Sequence, residues 1–129
     1  YFLIIIYNKI NFISPYFIIL LLWYPCFENL FSIIRKNFDK KDPLKADNKH
    51  LHHYLYVFIK SKFNISNLSA NNLTSIIINL FNFIIFYIGS EYTTSTYLQL
   101  FLIVICITFY LIFYLIFKNK VDSQGFKGF

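Results

Sequence analysis

The sequence predicts an all-α, polytopic integral membrane fold, and three observations predict it. Hydrophobic residues make up 57% of the 129-residue chain against 14% charged, a balance foreign to soluble domains. The apolar residues come in runs long enough to cross a bilayer, where a helix satisfies its own backbone groups. The cations gather between those runs, as expected of loops on one face of a membrane.

Taken in order, the elements begin with Tyr1 to Tyr7, which are already apolar in a chain that contains no Met. Lys9 follows this stretch rather than preceding it, and no small-residue cleavage site appears, so a secretory signal does not fit. The stretch reads as the stump of a truncated transmembrane helix. Ile10 to Ile34 is the first complete span, about 37 Å long if helical throughout. Pro15 suits its first turn, and Pro25 should kink or break it near Trp23 and Tyr24. Residues 35–67 read as a connecting loop.

The second span has its apolar core at Ile76 to Ile88, with Asn72, Thr74 or Ser75 as candidate caps and Gly89 as a C-terminal stop. It reaches the ~20 residues a crossing needs by starting near Leu68. Tyr97 to Phe117 is a charge-free third span, and residues 118–129 form a tail. Asn64-Ile65-Ser66, Asn67-Leu68-Ser69 and Asn72-Leu73-Thr74 match the glycosylation triplet by chance, since this topology keeps them in the cytoplasm.

Orientation follows from charge placement. Arg35, Lys36, Lys40, Lys41, Lys45, Lys49, Lys60 and Lys62 fall in the long loop, and Lys118, Lys120 and Lys127 in the tail. The connection Gly89 to Thr96 has no cation and carries Glu91. The loop and the tail are therefore expected on the cytoplasmic side. The aromatic residues, 22% of the chain, are spread through apolar segments, where lipid-facing packing and interfacial anchoring explain them better than nucleic-acid stacking. Cys26 and Cys106 lie in different apolar segments without a CxxC spacing and read as ordinary buried thiols.

The loop is the chemically loaded stretch. Its histidines, His50, His52 and His53, are the three that the chain contains. Imidazole can donate, accept, bind metal or change charge near neutral pH, so such a cluster beside Asp47 and many cations suits a phosphorylated ligand or a metal. If the stretch opens a helix, His50 and His53 share a face, with Asp47 one turn earlier and placed to orient His50. Zinc would need four ligands to converge from positions very close in the chain, which strains a tetrahedron. Arg35 and Lys36 suit either snorkelling or phosphate binding at a helix end. Glu28, seven residues before Arg35, is the acidic residue within an apolar segment, and such groups are paired or functional. A transferase, a metal-handling or ion-transporting protein and a structural membrane subunit all remain open at this level.

These residues resemble a known family, the polyprenyl-phosphate N-acetylhexosamine-1-phosphate transferases of glycosyltransferase family 4. That family's C-terminal region has Pro, then an acidic residue three positions on, then a basic pair, then Pro-x-x-x-Asp-x-x-His-x-His-His. Here the pattern is Pro25, Glu28, Arg35-Lys36, Pro43, Asp47, His50, His52 and His53, without a gap. The similarity covers roughly Ser14 to Leu55. Lys36 stands where the family has a second Arg, Leu44 where it has Phe, and Asn48 where it has Arg.

The resemblance implies a multi-pass protein of the bacterial cytoplasmic membrane whose substrates are UDP-N-acetylhexosamine and polyprenyl phosphate. A polyprenyl phosphate oxygen attacks the β-phosphorus of the UDP-sugar with Mg²⁺ present, releasing UMP and starting a cell-envelope polysaccharide. By the same resemblance, His50, His52 and His53 contact the nucleotide-sugar diphosphate, Arg35 binds a phosphate and Asp47 holds the loop. The family's catalytic and metal-binding aspartates lie in earlier cytoplasmic loops, and this chain has no Asp-Asp pair. The expectation is a C-terminal portion that supplies part of the nucleotide-sugar site and is inactive alone; homo-oligomers, membrane lipid and no nucleic acid complete the expected partners.

Overall fold

The computed structural model describes residues 13–40, 42 and 49–123. Tyr1 to Tyr7, Pro43 and Asp47 lie outside the described residues. The protein is an all-α membrane protein. Its described elements are α1 (Pro15–Leu21), α2 (Trp23–Phe38), α3 (Leu51–Phe63), α4 (Asn67–Glu91) and α5 (Thr96–Ser123), with no strand among the described residues.

The first apolar run forms two helices rather than one. Ser14 caps α1, its side chain accepting from the Tyr16 amide, and Pro15 occupies the first turn, where no amide hydrogen is needed. The break comes at Leu22, which donates back to the carbonyls of Ile18 and Ile19. Pro25 then falls in the first turn of α2, a position it tolerates, so the chain turns just upstream of it by 72°. The pair is apolar enough to cross a membrane, with the geometry of a broken span or a re-entrant loop. Arg35 and Lys36 occupy the last turn of α2, where cations complement the helix dipole.

α4 and α5, with 25 and 28 residues, are each long and apolar enough to cross by themselves. At about 1.5 Å per residue they measure roughly 37 and 42 Å, more than the ~30 Å hydrocarbon core. Ser66 caps α4, accepting from the Ser69 amide at 3.1 Å, in place of the caps expected at Asn72, Thr74 or Ser75. Thr74 and Ser75 instead donate their hydroxyls to the carbonyls of Ala70 and Asn71, as hydroxyl residues inside a helix do.

Gly89 does not stop the helix, which continues to Glu91. It is the point where α1 comes closest: a Cβ built there would meet the Leu20 side chain at 2.6 Å and Gln99 Oε1 at 3.3 Å. The α4–α5 turn is held by Gln99, fully buried, whose amide donates to the carbonyls of Gly89 and Tyr92 at 2.8 Å each. Ser14 ties α1 to the same turn by donating its amide to the Thr93 carbonyl at 2.8 Å. α5 contributes a buried stripe, Leu102, Cys106, Tyr110 and Tyr114, at the spacing of one helix face. Many of the large apolar residues of α4 and α5 outside that stripe, such as Ile76, Leu80, Phe83, Phe101, Val104 and Leu115, are exposed, as a lipid-facing surface requires. Cys106 is buried, whereas Cys26, expected to be buried, is exposed.

The segment read as a connecting loop, residues 35–67, contains the last turn of α2 and the whole of α3. Asn64 ends α3 in the left-handed conformation, with φ of 48°, which Asn tolerates better than most residues. α3 lies alongside the later turns of α5: Tyr54 packs edge-on against Tyr114 at 5.3 Å, and Phe58 meets Phe117 at 5.1 Å. Lys120 sits 4.8 Å from the centre of the Phe58 ring. The cations at the end of α3 and those at the end of α5 therefore share one end of the bundle.

Candidate functional site

The site grows from a buried acidic side chain inside an apolar helix. Glu28 lies in the second turn of α2 and is 8% exposed. Buried carboxylates survive only when donors surround them. Its Oε1 accepts from the Leu51 amide at 3.0 Å, lies 3.3 Å from His52 Nδ1 and 3.7 Å from His50 Nδ1, and accepts from the Tyr110 hydroxyl at 3.5 Å. One oxygen thus gathers groups from α2, α3 and α5.

Local sequence explains why the histidines arrive there. His50 is extended, with φ of −88° and ψ of 155°, and precedes the first turn of α3 without capping it through its own side chain. The orphan amides of that turn need an external acceptor, and Glu28 supplies it to Leu51. A carboxylate at a helix N-terminus also meets the positive end of the helix dipole. The chain therefore caps α3 from 23 positions away.

The three imidazoles form one cluster. The rings of His50 and His52 stack with centres 5.4 Å apart and planes 10° apart; those of His52 and His53 are 4.5 Å apart. Burial and the neighbouring His52, Arg35 and Lys36 outweigh the pull of Glu28 and hold His50 below the usual histidine range. Burial, with His52 and His50 close by, does the same for His53. Both therefore favour the neutral form more than a free histidine does, which weakens any ion-pair character of the His50–Glu28 approach.

Arg35 closes the other side. Its Nη1 donates to the Lys49 carbonyl, one residue before His50, and to the Tyr114 hydroxyl at 3.0 Å. The guanidinium also stands 5.7 Å from the ring centre of Phe31 and 5.8 Å from that of Tyr114. Arg35 and Glu28 thus grip the chain just before and just after His50. Lys36 is buried beside them. Asp47, expected to orient His50, lies outside the described residues; within them that position is taken by Glu28.

Two openings flank this cluster. A groove of about 640 Å³ between α3 and α4 is lined by His52, His53, Tyr56, Asn67, Asn71 and Ser75, among others. An apolar cleft of about 190 Å³ is lined by Trp23, Tyr24, Leu55, Phe81, Tyr110 and Phe113, among others, and shares Leu51 with the Glu28 cluster. Because Tyr110 precedes Lys118 by eight residues, the cluster lies about 12 Å inward from that cation along the α5 axis.

The sequence reading brought His50, His52, His53 and Arg35 to one place, and the fold brings them together with Glu28. It did not single out Tyr110 and Tyr114. Their signal was present: two hydroxyls four residues apart, in phase with Leu102 and Cys106, in an otherwise apolar run. Among the described residues no group of three or more His, Cys, Asp or Glu is arranged to hold a metal ion. No family model, curated protein or solved structure matches the chain.

Proposed function

We propose that this chain is the C-terminal part of a polyprenyl-phosphate N-acetylhexosamine-1-phosphate transferase and forms one wall of its nucleotide-sugar site. The observation that carries this reading is that Glu28 and Arg35 both hold the turn that opens the His-x-His-His run. These are the separate segments of the motif through which the chain resembles that family. A motif that matched by chance has no reason to close in space around one turn.

Two further features support the reading. The acceptor lipid has an apolar chain and a phosphate head, and the apolar cleft adjoins the histidine and arginine cluster through Leu51 and Tyr110. The cluster's inward position along α5 suits a phosphate held at the interface rather than one reached from free solution. In this reading the loop and tail face the cytoplasm of a bacterial inner membrane. His52 and His53 line the groove that receives the UDP-sugar diphosphate. An imidazole in that groove donates or accepts a hydrogen bond according to its tautomer, and Arg35 adds a fixed cation.

Phosphoryl transfer depends on positioning and on neutralising developing charge. Mg²⁺ would supply much of that neutralisation, held by acidic residues that the reading places elsewhere in the complete protein. The test is transfer of labelled N-acetylhexosamine-1-phosphate from UDP-sugar to polyprenyl phosphate, in membranes carrying the complete gene product. Transfer that falls about 10-fold or more in H52A and H53A supports the reading. No transfer by the wild type, or transfer untouched by either substitution, overturns it.

A second reading, handling of a divalent cation, rests on the closeness of the three imidazoles and requires them to rearrange, because no described group of three or more is arranged to hold a metal ion. Tight stoichiometric zinc binding, lost in H50A and H52A, would support it over the transferase.

A further inference from the structure

We propose that Glu28 is a positioning residue which fixes the tautomer of His52, so that Nδ1 carries the hydrogen and Nε2 is left as a bare lone pair at the α3–α4 groove.

Glu28 Oε1 accepts from the Leu51 amide, so it is an oxygen with lone pairs turned toward α3. His52 Nδ1 lies 3.3 Å from the same oxygen. Two acceptors at that distance would repel, so the ring nitrogen must be the donor. In the neutral ring the hydrogen then resides on Nδ1, and Nε2 becomes the acceptor. His52 is also one of the residues lining the groove. The arrangement is the one by which carboxylates hold histidines for chemistry: one nitrogen anchored, the other presented.

The rest of the cluster makes this anchoring stiff. Oε1 is simultaneously held by the Tyr110 hydroxyl, and the His52 ring is stacked on His50 and close to His53. Flipping the His52 ring by 180° would put Cδ2 in place of Nδ1 and lose the Glu28 contact while keeping the ring contacts, so the Glu28 oxygen is what selects between the two orientations. A bare Nε2 does not donate to a phosphate oxygen. It accepts instead, from a hydroxyl, a protonated phosphate or a water. Within the transferase reading, on which the kinetic part of this inference rests, His53 and Arg35 are then the donors to the diphosphate. His52 is the group that accepts a proton or hydrogen bond from the incoming substrate.

The test reads the tautomer directly. The chain contains three histidines, so selective ¹⁵N/¹³C-histidine labelling of the protein in nanodiscs gives a small set of ring signals, with H52Q identifying that of His52. At alkaline pH the wild type should show the Nδ1–H form at His52, and E28Q should keep it, because the amide oxygen still accepts. E28L should shift His52 toward the Nε2–H form that a free histidine side chain prefers. In the complete enzyme, E28L should lower kcat by about 10-fold to 100-fold, with KM for the nucleotide sugar moving less. An Nε2–H signal in the wild type overturns the inference, and so does an E28L spectrum identical to the wild type. If E28L loses its helical circular dichroism, the wild-type and E28Q spectra decide the matter alone. The tautomer is read without substrate, so it stands or falls separately from the transferase assignment.

Discussion

Arg35 donates to the hydroxyl of Tyr114 at 3.0 Å, joining the last turn of α2 to the later half of α5 across 79 positions of sequence. The same guanidinium holds the Lys49 carbonyl, so the chain entering α3 is tied to both helices at once. Arg is suited to this because its planar fork donates in two directions while its face lies over aromatic rings.

Replacing Tyr114 with Phe keeps the ring and removes the hydroxyl. Chemical unfolding in detergent, followed by circular dichroism, should show a loss of about 0.5–1.5 kcal/mol. R35K should do more harm than Y114F, because it loses the planar guanidinium that lies against the Phe31 and Tyr114 rings as well as its fixed donor geometry. Equal stability of R35K and the wild type would contradict this account.

Removing the Glu28 carboxylate as E28A strips the Leu51 amide of its acceptor. The expected penalty is about 1–3 kcal/mol, the usual scale for leaving a buried donor unpaired. It should be local before it is global. Hydrogen exchange at the first turn of α3 should speed up while exchange in α5 stays slow, and uniform behaviour of the two helices would argue against Glu28 as the cap.

Acid should weaken the protein for a reason that can be traced to two rings. His50 and His53 are held below the usual value near 6.5 mainly by burial. The unfolded chain therefore binds protons at these positions at a higher pH than the folded chain does. Stability should be full above about 6.5 and decline as pH falls from there through the depressed folded values. Melting temperatures recorded between pH 8 and 5 check this, and H50Q/H53Q should flatten the curve over that window.

A branched side chain at Gly89 should separate α1 from α4. The Cβ position already overlaps the buried Leu20 side chain and crowds Gln99, which cannot move without releasing two carbonyls. G89V should therefore cost about 1–3 kcal/mol, the scale of an overpacked core, read as a lowered melting temperature. L20A placed on top of it should recover part of the loss.

The membrane character of the fold was legible because it rests on composition and run length, which survive any detail of packing. The break in the first run was legible from Pro25, although its place, at Leu22, depends on Pro being acceptable in the first turn of the helix that follows. Ser66 as the cap of α4 was missed because three later candidates stood nearer the apolar core. Gly89 was read as a stop because a glycine's local preference is visible in sequence, while the approach of Leu20 from 69 positions away is not. In the site, the histidines and Arg35 announced themselves by type and spacing. Glu28 and Tyr110 acquire their meaning from each other, and no local pattern states that relationship.

The long-range bonds have a consequence for how the chain is assembled in the membrane. Ser14 with Thr96, Arg35 with Tyr114 and Glu28 with Tyr110 join residues 82, 79 and 82 positions apart. α1 and α2 emerge from the ribosome well before α5 exists, and an acidic group entering lipid unpaired is expensive. Leu51 gives Glu28 a temporary partner only 23 residues later, which makes α3 an early chaperone for α2. α5, synthesised after α2, then completes the Glu28 cluster, so shortening α5 before Tyr110 should leave a chain that inserts and is subsequently cleared by membrane quality control.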